Sequence, residues 1–236
     1  MSTQKVAIIT GASQGIGAGL VGAYKDLGYK VVANSRSIAP SNEAAITTVA
    51  GDIGEQSVAE TLVETALREY GRIDTLVNNA GVFLARPFVD YTQEDYDTVL
   101  RTNLSGFFYV TQLAASEMLK SGEGGHIVNV TTTLVESALS ALPAALASLS
   151  KGGLAAVTKA LAVEYATSGI RVNAVAPGVI KTPMHAEPTY DFLRGLHPMN
   201  EIGEVADVVR GVTYLEQSPF VTGEFLHVDG GWSAGH

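Results

Sequence analysis

The 236 residues include no cysteine. Disulfides, thiol nucleophiles and cysteine-type zinc sites are therefore excluded, and no metal site is expected. Basic residues are few: 15 Lys and Arg stand against 24 Asp and Glu, a formal net charge of −9. No run of basic residues supplies the clustered charge that a phosphate backbone requires, so no nucleic-acid partner is expected. No apolar run reads as long enough to span a bilayer, so no membrane partner is expected either. The start, Met1 to Lys5, is polar and leads straight into a strand, unlike a secretory signal. A cytoplasmic protein is expected. One narrower absence matters below: no tyrosine lies between Tyr109 and Tyr165.

What is present is a hydrophobic fraction of 46% with 17% charged residues, enough for one large domain with a substantial core. Short apolar runs alternate with longer amphipathic ones. Strands are expected at 5–10, 29–34, 46–50, 74–78, 126–130, 171–176 and 224–228. Helices are expected at 16–27, closed by Gly28, and at 57–70, 104–120, 147–167 and within 203–215. Residues 36–45 leave room for little more than one helical turn. Strands apolar on both faces, alternating with helices, predict a doubly wound parallel sheet covered on both sides, without linkers or repeats. Ligands in such sheets bind beyond the carboxyl ends of the strands.

The turn after the first strand reads Thr10-Gly11-Ala12-Ser13-Gln14-Gly15-Ile16-Gly17. Glycines let a backbone turn sharply and approach a pyrophosphate, while the following helix offers free N–H groups and the positive end of its dipole. The plainer alternative is a simple glycine turn. Its place directly after the first strand favours the nucleotide reading.

This turn resembles the cofactor motif of the short-chain dehydrogenase/reductase superfamily, and the resemblance runs along essentially the whole chain. Asp52-Ile53 matches the position that touches adenine in that family. Asn78-Asn79-Ala80-Gly81 matches its N-N-A-G motif. Asn103 matches the asparagine of its catalytic tetrad. Pro177-Gly178-Val179-Ile180-Lys181-Thr182 matches the P-G-x-x-x-T segment along the nicotinamide, and Val228-Asp229-Gly230-Gly231 matches its V-D-G-G. The resemblance implies a single Rossmann-type α/β domain over residues 1–236, with a substrate lid at about 183–200. It implies a cofactor site made by Gly11, Ser13, Gln14, Gly15, Ile16, Gly17, Arg36, Asp52, Ile53, Asn79, Ala80, Gly81, Lys151, Pro177, Gly178, Ile180 and Thr182. It also implies a homo-oligomer, a tetramer or a dimer, built on the two long helices. There Ala155, Ala156, Ala160 and Ala162 would allow close approach, although alanine is also simply a good helix former.

NAD-selective relatives carry an acid after the second strand to bind the ribose hydroxyls. Here the segment is Val32-Ala33-Asn34-Ser35-Arg36-Ser37. An arginine pairs with a 2′-phosphate that an acid would repel, so NADP is expected, with NAD the alternative. Gln14 argues the other way, because NADP-preferring relatives often carry a basic residue in the glycine turn. Arg36 could also be an ordinary solvated arginine.

In the family a serine holds the substrate oxygen. A tyrosine exchanges its proton, and a lysine four residues on binds the nicotinamide ribose and lowers the tyrosine pKa. Lys151 matches the lysine. Ala147 stands where the tyrosine should be. Thr132 is the best match for the serine; Thr131, Thr133, Ser137 and Ser140 remain open. The expected catalytic residues are therefore Asn103, Thr132 and Lys151. His185, Tyr190 and His197 could replace the missing acid, or simply pack. Ser148 and Ser150 flank Ala147 but are poor acids. The sequence thus implies an NAD(P)-dependent oxidoreductase acting on a small molecule with a non-standard site. The alternatives are a catalytically silent cofactor-binding subunit or sensor, or a non-redox lyase or isomerase.

Overall fold

The computed structural model describes residues 4–185 and 187–235. Met1, Ser2 and Thr3 of the polar start, Ala186 of the expected lid, and His236 lie outside the described residues. Seven strands alternate with helices in one chain-long domain: β1 (Val6–Thr10), α1 (Gly15–Asp26), β2 (Lys30–Ser35), β3 (Ile46–Ala50), α2 (Gln56–Tyr70) and β4 (Thr75–Asn78). Then come α3 (Gln93–Leu100), α4 (Gly106–Ser121), β5 (Gly125–Val130), α5 (Ala145–Tyr165), β6 (Ile170–Pro177), α6 (Tyr190–Arg194), α7 (Val205–Gln217) and β7 (Phe225–Val228).

All strands are parallel, in the order β3-β2-β1-β4-β5-β6-β7. β1 lies between β2 and β4, with Ile8 opposite both Val32 and Leu76. The chain therefore winds outward on one side of β1, returns, and winds outward on the other. This reversal opens a crevice at the carboxyl ends of β1 and β4.

Both faces of the sheet are apolar because each packs against helices. Val6 and Ile8 of β1 join Leu62 of α2 and Val110 and Met118 of α4 in one core. Their neighbours Ala7 and Ile9 join Leu20 of α1 and Val208, Val212 and Leu215 of α7 in the other. Two-residue alternation along the strand thus serves two helical layers.

Residues 36–45 hold turns and no helix, in keeping with the short length of this connection. Three expectations need correction. The helical run expected from residue 104 starts earlier, at Gln93, behind a capping box in which Thr92 and Asp95 satisfy each other's backbone N–H. It reaches α4 through a π-turn at Arg101–Ser105. Of the eight residues of α3 only Val99 is buried, so no apolar stripe announces that helix. Finally, the helix at Ala145–Ser168 is long and apolar enough to cross a bilayer by length and composition. In this fold it lies against β6 and buries Leu146, Ala147, Lys151, Leu154 and Ala162. Ala162 belongs to the core and is not available for helix approach, whereas Ala156 and Ala160 are exposed.

The amino ends of the strands are tied by one buried carboxylate. Glu216, near the end of α7, accepts hydrogen bonds from Tyr24 (2.9 Å), Tyr29 (2.9 Å), Thr75 (3.1 Å) and Nδ1 of His126 (2.8 Å). Asn173 donates to the other ring nitrogen of His126, so this ring is neutral with its proton on Nδ1.

Candidate active site

A cleft of about 640 Å³ opens over the carboxyl ends of the strands. One end is built by the glycine turn. Gly11 and Gly15 have φ of +65° and +55°, a backbone region open to glycine. α1 begins without a side-chain cap and without an acid in its first turn. Its unpaired N–H groups are therefore free for an anion lying along Ser13, Gln14, Gly15 and Ile16, all of which line the cleft. Asn79 fixes this turn to β4 by donating to the carbonyls of Thr10 and Gly11 (3.0 and 3.1 Å). The hydroxyl of Thr10 accepts from the N–H groups of Asn79 and Ala80.

Beyond β2 the wall carries Ser35, Arg36, Asp52 and Ile53. Arg36 is exposed. The Ser35 hydroxyl is buried and makes no hydrogen bond among the described residues. The Asp52 carboxylate accepts from the N–H of Gly54 and lies 3.5 Å from the Arg101 guanidinium.

The other end holds Lys151, Thr132 and Ala147 against apolar walls that include Val82, Phe83, Leu134, Leu142, Phe192 and Trp232. Lys151 Nζ donates to the carbonyl of Val130 at 2.7 Å. Burial lowers its pKa from 10.5 to about 8. The three threonines after β5 divide their tasks. Thr131 donates to the carbonyl of Val175, and Thr133 to the carboxylate of Asp229. Among the described residues, Thr132 accepts from the N–H of Leu134, two residues on, and donates to no group, so its proton is free to point into the cleft. The segment after β6 closes over the glycine turn: a Cβ on Gly15 would stand 3.1 Å from the Thr182 methyl.

The chain as a whole is similar to known proteins. Residues 11–233 match the family model described as enoyl-(acyl carrier protein) reductase. The chain is 36% identical to carbonyl reductase (NADPH) 2 of Sus scrofa, covering 97% of this chain and 96% of that one. It is 33% identical to 3-oxoacyl-(acyl-carrier-protein) reductase of Synechocystis sp., covering 97% of each. A solved structure of ElxO with NADP bound superposes with a TM-score of 0.91 at 29% identity, over 99% of this chain and 100% of that one. The 3-ketoacyl-(acyl-carrier-protein) reductase from Brucella melitensis complexed with NADH gives 0.90 at 31% identity, over 98% and 100%. The chain belongs to the short-chain dehydrogenase/reductase family. It is an NAD(P)-dependent oxidoreductase by kinship.

Of the residues expected to form a short-chain dehydrogenase/reductase site, most line the cleft: Gly11, Ser13, Gln14, Gly15, Ile16, Arg36, Asp52, Ile53, Asn79, Ala80, Gly81, Thr132, Lys151, Pro177, Gly178, Ile180 and Thr182. Two stand behind its wall. Gly17 faces the turn itself, where a Cβ would lie 2.1 Å from the Gly11 carbonyl oxygen. Its part is to let α1 pack into the loop. Asn103 is buried in the π-turn. It accepts from the N–H of Val82, and donates to the Val82 carbonyl and the Ser150 hydroxyl. It braces the strand-to-loop segment after β4 against α5.

Ala147 lines the cleft one turn before Lys151, and no tyrosine does among the described residues. Of the substitutes, His197 is fully engaged: Nε2 accepts from the N–H of Val179, Nδ1 faces the Leu193 carbonyl at 3.1 Å, and the ring stands edge-on to Trp232. Tyr190 packs against the apolar cluster that forms much of the cleft wall, but does not itself line the cleft. Ser148 donates to the Leu134 carbonyl, and Ser150 is buried against Asn103. Ser137 and Ser140 lie off the cleft. His185 does line it, and burial pushes its pKa down. Sequence reasoning missed Ser35 as a buried unpaired hydroxyl and the apolar walls. Only Trp232, the sole tryptophan, placed directly after Gly231, gave a signal.

Proposed function

We propose that the protein binds NADP(H) in preference to NAD(H), and transfers hydride between it and a small, largely apolar organic molecule in a site without a tyrosine. The observation that carries this reading is one continuous cleft running from Arg36, past the uncapped start of α1, to Lys151 and Thr132. The residues fit the cofactor: free N–H groups suit its pyrophosphate, and Ser35 with Arg36, unaccompanied by an acid on β2, suits a 2′-phosphate. Asp52 and Ile53 would border the adenine, and Asn79, Ala80 and Gly81 the neighbouring ribose. Pro177, Gly178, Ile180 and Thr182 would line the nicotinamide, and Lys151 would hold its ribose. Bound there, the cofactor supplies or accepts the hydride. Thr132 would hold the substrate oxygen. Ala147 leaves open a volume that a phenol would fill, so a bulkier substrate or a water could enter. Exposed Phe108 on α4 and Leu149 and Val163 on α5 support a homo-oligomer built on these helices.

Titration calorimetry with NADPH and NADH tests the cofactor reading. Binding of neither would overturn it, and equal binding of both would overturn the preference alone. Single-turnover transfer from 4-deuterated NADPH to a ketone separates an enzyme from a silent subunit.

A further inference from the structure

The ionisable side chains that line the cleft are Arg36 after β2, Asp52 after β3, Lys151 on α5 and His185 after β6. Arg36 and Asp52 belong to the end beyond β2. Lys151 is buried, and among the described residues its ammonium has neither a carboxylate nor a phenol partner. Asp229, the other acid near the threonines, is occupied by Thr133, Gly231 and Ser233. Among the described residues, the ammonium of Lys151 donates to the carbonyl of Val130, the last residue of β5. Thr132 follows two residues later, so its Cα lies within about 7 Å of that of Val130. A Cβ on Gly81 would stand 3.1 Å from Nζ, which sets the amine at the cleft wall. At the position one turn earlier, Ala147 presents only a methyl group.

We propose that Lys151 is itself the general acid and base of hydride transfer, exchanging a proton with the substrate oxygen that Thr132 holds. The proposal rests on the oxidoreductase reading above. In the reducing direction, hydride bonds to the carbonyl carbon and the C=O π pair moves to oxygen. That oxygen takes a proton from Nζ as the N–H bond breaks and its electron pair stays on nitrogen. The neutral amine then regains a proton from water. The oxidising direction runs the same steps backwards, with the amine as base. A pKa near the working pH suits both directions, and burial brings that of Lys151 to about 8. Burial drives the imidazole of His185 towards its neutral form, a weaker donor.

The test is chemical rescue. Lys151→Ala should lower NADPH-dependent reduction of 1-phenyl-1,2-propanedione by about 10²-fold or more. Methylamine, ethylamine and fluoroethylamine should each restore part of the rate, the more so the lower the amine pKa. Full activity in the variant, or no rescue in a folded variant that still binds NADPH, would overturn the proposal. Should Lys151→Ala not fold, Lys151→Arg keeps the charge and donors but cannot release a proton. It should bind NADPH and lose turnover by a similar factor, and unchanged turnover would overturn the proposal. A second readout needs no cofactor: NMR titration of the Lys151 amine in the free protein should give a midpoint near pH 8, and one above about 10, the ordinary lysine value, would overturn the proposal. If the unmodified protein fails to bind NADPH, the oxidoreductase reading falls. If it binds NADPH and fails to reduce the diketone, only the acid assignment falls.

Discussion

Nδ1 of His126, at the start of β5, donates to the carboxylate of Glu216 across 90 residues of chain. Burial by itself would raise the pKa of Glu216, but hydrogen bonds from His126, Tyr29 and Tyr24 outweigh it and hold the value at about 2. Burial pushes His126 down from 6.5. The unfolded chain therefore binds protons more readily at both groups. Their contribution to stability is complete above about pH 6.5 and fades as the pH falls towards 2. Glu216→Gln should cost about 1.5–3 kcal/mol at pH 7, a fall in Tm of about 3–12 °C, and should flatten the acid limb. Thermal unfolding at pH 7 and pH 4 checks this, and an unchanged acid limb would contradict it.

Two glycines in α1 should respond oppositely to alanine. A Cβ on Gly17 would meet the Gly11 carbonyl and the Asn79 side chain, whereas one on Gly22 meets nothing within 4 Å. Gly17→Ala should destabilise by about 1–3 kcal/mol and weaken NADPH binding at least about tenfold by distorting the turn. Gly22→Ala should stabilise by about 0.5–1 kcal/mol and leave binding alone. Denaturant unfolding and calorimetry on both variants provide the comparison.

Arg36→Ala should raise the Kd for NADPH by about tenfold or more, the loss of a charge-assisted hydrogen bond, and that for NADH less than about twofold. Equal losses for the two cofactors would assign Arg36 to general electrostatics. The salt dependence of the NADPH affinity should shrink in the same variant.

Ala147→Tyr places a phenol in the cleft beside Lys151. Ala147 shares an apolar cluster with Leu134, Val179 and Trp232, all of which line the cleft with it. Reduction of acetophenone, a ketone with no activating neighbour, should rise by about tenfold or more. A fall in that rate, with Tm unchanged, would show that the open volume serves the native substrate.

The parallel sheet and its helical layers were legible because strands such as Val6–Thr10 are apolar on both faces, a pattern that only a covered sheet explains. The glycine-turn end of the cleft was legible because close backbone approach requires glycine, and glycines at fixed spacing are visible. Other features depend on contacts between distant segments. Gly17 belongs to the same motif as Gly11, yet its neighbours are known only once α1 is packed. Thr131, Thr132 and Thr133 look alike in sequence, and are told apart by carbonyls and carboxylates 44 and 96 residues away for two of them. The role of His197 was hidden because its hydrogen bonds to Val179 and Leu193 arise from how the segment after β6 folds back on itself. α3 escaped notice because Val99 is its one buried residue, too little to make an apolar stripe.

The π-turn at Arg101–Ser105 gives the α3–α4 rod one residue more than a uniform α-helix would need. Each residue of a helix turns the following side chains by about 100°. The surplus residue therefore works as a phase shifter between two faces: Val99 meets the domain on one side of it, and Val110, Ala114 and Met118 meet the sheet on the other. Asn103 sits inside the shift, where it reaches both Val82 and Ser150. Deleting one residue here would give a more regular helix and a less coherent protein. Either α4 would rotate its apolar stripe off the sheet, or α3 would rotate Val99 into solvent. Length in this short segment is thus under tighter constraint than composition, and a chain that kept every side chain of the cleft could still lose it through one missing residue here.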